Sequence, residues 1–150
     1  MNWNQCQKEF EWDGSFRDIY VFGTNLKEWQ KLLDFIRTGR YTFEYKLDDN
    51  TVDLPKLAAT IFESEDFRGL LSVKVGNLLL NCHFFTTNEI EFDLDPREVK
   101  GEKELSELFD FLRRLCWISN KQTVLTPENA PEYWIFRFTP GISEPEYQSI

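Results

Sequence analysis

From Glu89 to Asp95 the chain reads Glu-Ile-Glu-Phe-Asp-Leu-Asp, an unbroken alternation of acid and hydrophobe. An extended strand sorts such a pattern onto two chemically distinct faces, because its successive side chains point to opposite sides. Ile90, Phe92 and Leu94 then share one face, and Glu89, Glu91, Asp93 and Asp95 share the other. Same-face neighbours on a strand stand roughly 7 Å apart, so these carboxylates repel one another. No basic residue within the segment relieves them. The row points to a positive counterpart: a basic protein surface, a bound cation, or basic side chains elsewhere in the fold.

Two turns place this strand in a sheet. Leu70 to Val75 and Leu78 to Phe85 flank Gly76-Asn77, a two-residue hairpin signal. Thr86-Thr87-Asn88 then supplies a three-residue loop into the acidic segment, with Asn88 tolerating a left-handed backbone. These loop lengths set Val75 opposite Leu78, Val73 opposite Leu80, Leu71 opposite Cys82, Cys82 opposite Phe92, and Phe84 opposite Ile90. Every pair is apolar, and a slip by one residue would send the whole set to water. The other face collects Ser72, Lys74, Asn81 and His83 beside the acids, with Leu79 and Phe85 among them. His83 falls across from Glu91, and Asn81 across from Asp93.

The rest of the chain alternates strand and helix signals. Arg17 to Phe22 reads as a strand that Gly23 ends. Asn25 with Glu28 forms a capping-box pair for a helix whose Leu26, Trp29, Leu32, Leu33 and Ile36 make one stripe. A second strand, Tyr41 to Leu47, ends in the Asp48-Asp49-Asn50 turn, and a short helix follows Pro55, burying Leu57, Ala58, Ile61 and Phe62. Glu102 to Trp117 reads as a long helix with Leu105, Leu108, Phe109, Leu112, Leu115 and Cys116 inward. Trp29 and Trp117, on or beside the helical stripes, are assigned to the core. Gln122 to Leu125 and Tyr133 to Phe138 are late strands around a Pro-rich loop. The order predicts an α+β fold: a mainly antiparallel sheet with two longer helices and one short helix packed on one face. Residues 1–150 read as a single domain, with an irregular lead-in over 1–15 and a loose tail over 141–150.

Composition narrows the function. Net charge is −9, from 26 acids against 17 bases, and no Lys/Arg cluster exceeds Arg113-Arg114. That argues against nucleic acid, which demands a basic footprint. The apolar runs are too short to span a bilayer, and the first residues lack the basic start and apolar stretch of a signal peptide. The expectation is a cytoplasmic protein with no membrane partner. Three separated cysteines and a single histidine do not make a zinc site, and no phosphate-loop, dinucleotide or HExxH motif occurs. No cofactor and no metal are expected.

The candidate residues are therefore those of the acidic face: Glu89, Glu91, Asp93, Asp95, His83, Asn81 and Phe85, read as a surface that meets a basic protein. Aromatic anchors set within charge suit such recognition. Two readings stand beside it. In the first, the row is a solvated sheet face, partly neutralised by Lys74 or by Arg137. In the second, His83 works with Glu91 or Asp93 as an acid–base couple in a small enzyme. An exposed sheet edge that pairs with another chain is a further alternative.

The segments Arg17-Asp-Ile-Tyr-Val, Leu79-Leu-Asn-Cys-His-Phe-Phe, Glu89 to Glu98 and Leu125-Thr-Pro-Glu-Asn-Ala-Pro-Glu resemble a family of small uncharacterised bacterial proteins. The profile as a whole, acidic, aromatic-rich and without catalytic motifs, is similar to bacterial toxin-immunity proteins. That resemblance implies a non-enzymatic protein that offers carboxylates to a basic, nuclease-type toxin.

Overall fold

The meander forms with the register its two turns dictate. In the computed structural model, which describes residues 1–63 and 69–149, Val75 faces Leu78, Leu71 faces Cys82, and Cys82 in turn faces Phe92. Gly76 carries the positive φ, 58°, that this two-residue turn requires.

Helix α1 (Trp3–Cys6) is followed by strand β1 (Arg17–Phe22), helix α2 (Leu26–Thr38), strands β2 (Thr42–Leu47) and β3 (Asn50–Val52), and helix α3 (Ala58–Glu63). Strands β4 (Gly69–Val75), β5 (Leu78–His83) and β6 (Glu89–Leu94), helix α4 (Glu102–Ser119), and strands β7 (Thr123–Pro127), β8 (Phe136–Phe138) and β9 (Glu146–Tyr147) complete the chain. The nine strands of the described residues join one sheet in the order β3-β2-β4-β5-β6-β1-β7-β8-β9, and each pairing is antiparallel. This is the α+β architecture, with the helices gathered on one face. No described helix is long and apolar enough to cross a membrane.

The core lies between that face and the helices. Ile19, Val21, Leu71, Val73, Leu80, Cys82, Phe92 and Leu94 come from the strands, and Trp29, Leu32, Leu33 and Ile36 from α2. The α2 stripe is held at its start by the capping box between Asn25 and Glu28. Helix α4 buries the residues its periodicity assigns inward, and Phe111 as well. Phe111 is covered because α4 is wedged between sheet and α2. Its ring meets Phe92 at 5.5 Å on one side, and Tyr41 at 5.5 Å and Phe35 at 6.4 Å on the other. All three cysteines are buried free thiols, and burial pushes the Cys6 thiol up to about 11.

Several elements differ from expectation. The lead-in is ordered: α1 and a 3-10 turn over Gln7–Phe10 place Cys6 and Phe10 in the core. Arg17 fixes it there. Its buried guanidinium donates to the carbonyls of Glu9, Glu11, Ser15 and Phe16 and meets Asp13 at 3.3 Å. The tail is also tied down, through β9 against β8; Ile150 alone of it lies outside the described residues. Tyr147 stacks on Phe136 at 5.1 Å and donates its hydroxyl to Glu9. Tyr147→Ala should lower stability by roughly 1–2 kcal/mol. An unchanged urea midpoint would show that β9 holds nothing. Leu57 lies exposed ahead of α3 rather than in its buried side, and Trp117 projects into solvent rather than into the core. Beyond the Asp48-Asp49 turn the chain doubles back as β3, with both aspartates at positive φ, 52° and 65°.

Candidate functional site

The face of the sheet away from the helices is where the acidic row lies, and the topology enlarges it. Strand β6 has β5 on one side and β1 on the other. Antiparallel pairing sets Asp18 against Asp93, Tyr20 against Glu91 and Phe22 against Glu89. A second strand thus adds a carboxylate, a phenol and an aromatic ring to the same face.

His83 lies across from Glu91 in register, yet its Nε2 meets Asp93 Oδ2 at 2.5 Å. The diagonal neighbour on the next strand is within reach of a long side chain. On its other side Glu91 lies across from Tyr20 of β1. Asn81 Nδ2 donates to Asp93 Oδ1 at 3.2 Å, and Ser72 Oγ donates to Asn81 Oδ1 at 2.9 Å. The Tyr20 hydroxyl donates to Asp18 Oδ2 at 3.1 Å, which accepts the Asn129 backbone N–H at 2.8 Å. One hydrogen-bonded set therefore crosses β4, β5 and β6, and a second ties Asp18 of β1 to Tyr20 and to the backbone of Asn129. The imidazole lies flat against Phe85, with ring centroids 5.1 Å apart.

Not every residue of the row joins it. Asp95 lies past the end of β6, where it caps the 3-10 turn Pro96–Glu98. Pro96 sets the φ of the first position of that turn. The Asp95 carboxylate receives the Arg97 guanidinium at 2.8 Å, so its charge is answered within the chain and its pKa is lowered by those bonds. Glu89, Glu91, Asp93 and Asp18 form no ion pair with a lysine or arginine among the described residues. The two cations that a self-neutralised face would use are elsewhere. Lys74 stands exposed on β4, two strands away from β6. Arg137 is spent on Glu146, at 2.7 Å, and stacks over Trp134 at 4.3 Å.

Crowding shows in the titration of these groups. Glu91 is raised above the ordinary glutamate range, first by burial and then by Asp18 and Glu89, against the lowering effect of Tyr20 and His83. Asp18 is raised by burial, with Asp93 and Glu128 adding to it and its two hydrogen bonds opposing. The Tyr20 hydroxyl is pushed well up by burial and by both acids. His83 is raised chiefly by its bond to Asp93, over the opposing effect of burial, with further help from Asp93, Glu91 and Asp18 charge.

The sign of the pH dependence follows. A histidine whose folded pKa exceeds its unfolded one gives stability that is complete below the unfolded value and lost as pH rises through the folded value. Asp18 and Glu91 hold protons more tightly folded than unfolded, so they also favour the folded state as pH falls toward about 4. Melting temperature should rise from pH 8 to pH 6 and flatten in Asp93→Asn. Because His83 is the only histidine, one proton NMR titration reports it alone. Its midpoint should lie above about 6.5 and drop in Asp93→Asn. A midpoint at or below the ordinary value would break the His83–Asp93 assignment.

The margins of the face are apolar. Phe85 is 58% exposed, Phe22 44% and Leu79 43%, while Tyr20 at 4% lies beneath, stacked on Phe22 at 5.2 Å. Four surface clefts of about 230–380 Å³ are lined by other residues, and none of the four includes His83, Glu91 or Asp93. Among the described residues no group of three His, Cys, Asp or Glu side chains has the geometry to hold a metal ion. Comparison with known protein families, curated proteins and solved structures finds no match.

Proposed function

We propose that this chain is a non-enzymatic binding protein whose open sheet face docks a basic surface of another protein, in the manner of an immunity protein that neutralises a basic, nuclease-type bacterial toxin. The observation that carries the reading is the set Asp18, Glu89, Glu91 and Asp93. These are four carboxylates on adjacent strands, Glu89, Glu91 and Asp93 partly exposed and Asp18 buried beside them, unpaired with lysine or arginine among the described residues, and framed by Phe22, Leu79 and Phe85. Burial raises Asp18 and Glu91 first, and neighbouring acids add to it; a partner's cations would offset that second contribution. Apolar anchors beside a desolvated charge cluster supply the remainder of such an interface. Charge at the centre would also steer encounter and make the association rate depend on salt.

His83 fits this reading as a part of the surface. Its Nε2 is engaged by Asp93 and its ring by Phe85, on a pleated face rather than in one of the four clefts. Protonation adds a positive charge to the face, so affinity for a basic partner should fall as pH drops through the raised pKa values of His83, Glu91 and Asp18. The test is co-expression with the products of the genes flanking its own, followed by purification in rising salt. A basic protein retained at low salt and lost at high salt supports the reading. An acidic partner, or one indifferent to salt, overturns it.

A further inference from the structure

The far side of the molecule carries a second exposed feature, centred on Trp117. Its ring is 78% exposed and separates two clefts. The first, about 230 Å³, runs between α4 and the segment after β8, with Phe138, Pro140 and Ile142 along its wall. The second, about 380 Å³, lies between α4 and α2, against Phe35 and Ile118. The Trp117 indole forms no hydrogen bond and no ring contact among the described residues.

The charge around this ridge is opposite in sign to that of the sheet face. Lys31 borders one cleft and Arg113 the other. Neither cation meets a carboxylate among the described residues: Lys31 is exposed without an ion pair there, and Arg113 donates to the Ser143 carbonyl at 2.6 Å. The acids nearby are already engaged. Asp34 accepts from Gln30 and Arg37, Asp110 from Arg114, and Glu28 pairs with Lys121. The negative end of α4 is also covered. Ser119 Oγ donates to the Leu115 and Cys116 carbonyls, and the Asn120 N–H donates to that of Trp117. In a chain of net charge −9, two unanswered cations flanking an exposed tryptophan select for a ligand of negative charge.

We infer that the Trp117 ridge is a second docking surface, and that its occupant is an acidic peptide segment carrying a large apolar side chain. The apolar side chain packs beside the indole in the cleft toward Ile142, and carboxylates meet Arg113 and Lys31. An indole with a guanidinium beside it is the composition typical of interface hot spots. This surface is independent of the acidic sheet face, so the two readings stand or fall separately.

The experiment selects a random 12-residue peptide display library on the folded chain, then measures synthetic versions of the selected peptides by fluorescence anisotropy. Selected peptides should carry Asp or Glu around a Phe, Trp or Leu. Trp117→Ala should weaken them at least tenfold, as should Arg113→Glu combined with Lys31→Glu, while Glu91→Lys on the sheet face leaves them unchanged. Trp117 is exposed, so its replacement should leave the melting temperature in place. Selection of basic or uncharged peptides, or of none, overturns the inference, as does binding indifferent to Trp117→Ala. Self-association of the wild type that Trp117→Ala abolishes also overturns it, by assigning the ridge to a second copy of the chain.

Discussion

The double substitution Glu89→Lys with Glu91→Lys should weaken binding of the basic partner by roughly 2–5 kcal/mol, or about 30-fold to several thousandfold. The two side chains sit next to Phe22 and Tyr20 on an open face, where a partner's lysines and arginines would be partly desolvated. Each reversal removes an attraction and installs a repulsion, which is costlier than truncation. The fold should tolerate the change. Glu91 is held above its ordinary range first by burial and then by neighbouring acids; a lysine there meets the same burial but is attracted by Asp18, and Tyr20 keeps Asp18 as an acceptor. The melting temperature should therefore hold or rise. Calorimetry at low and high salt checks the rest: the wild type should lose affinity steeply with salt, and the variant should respond little. Equal affinity and equal salt dependence would remove this face from the interface. Asp93 is a poorer choice, because it anchors His83 and Asn81 and its loss would mix structure with recognition.

What could be read from residue order divides along sequence distance. The β4-β5-β6 meander was legible because two short turns set its register: Val75–Leu78, Val73–Leu80, Leu71–Cys82 and Cys82–Phe92 form as predicted, while β5 ends at His83, short of the Phe84–Ile90 pair. Asp18 and Tyr20 were missed as parts of the face. Nothing local tells β1 to lie against β6, some seventy residues away, although Asp18 and Tyr20 alternate with the apolar Ile19 and Val21, all four being buried in the fold. Register alone pairs His83 with Glu91; only the side-chain reach to the diagonal neighbour reveals Asp93 as the partner. Asp95 left the row because Asp-Pro starts a new turn, a signal present in the residues but outweighed by the alternation before it. Trp117 shows the limit of a stripe: Cys116 points inward, and the next residue is turned about 100° around the helix. Phe111 shows the converse, a position beside the stripe buried because α2 covers α4 from a second side.

That last contrast gives the largest expected effect on stability. Phe111→Ala should cost about 3–5 kcal/mol, a large share of the 5–15 kcal/mol typical of a domain. The ring is fully buried and touches Phe92, Tyr41 and Phe35. These neighbours come from the sheet, from α2 and from the α2–β2 connection, so no single element can shift to fill the void. Trp117→Ala, six residues along the same helix, removes a larger side chain from solvent and should change stability by no more than about 0.5 kcal/mol. Urea denaturation of both variants reads the two values directly. Together they fix the rotation of α4 about its axis, on which both the covered core and the Trp117 ridge depend. If the tryptophan variant proved the more damaging, the helix would be turned the other way, with Phe111 outward and no exposed indole to dock against.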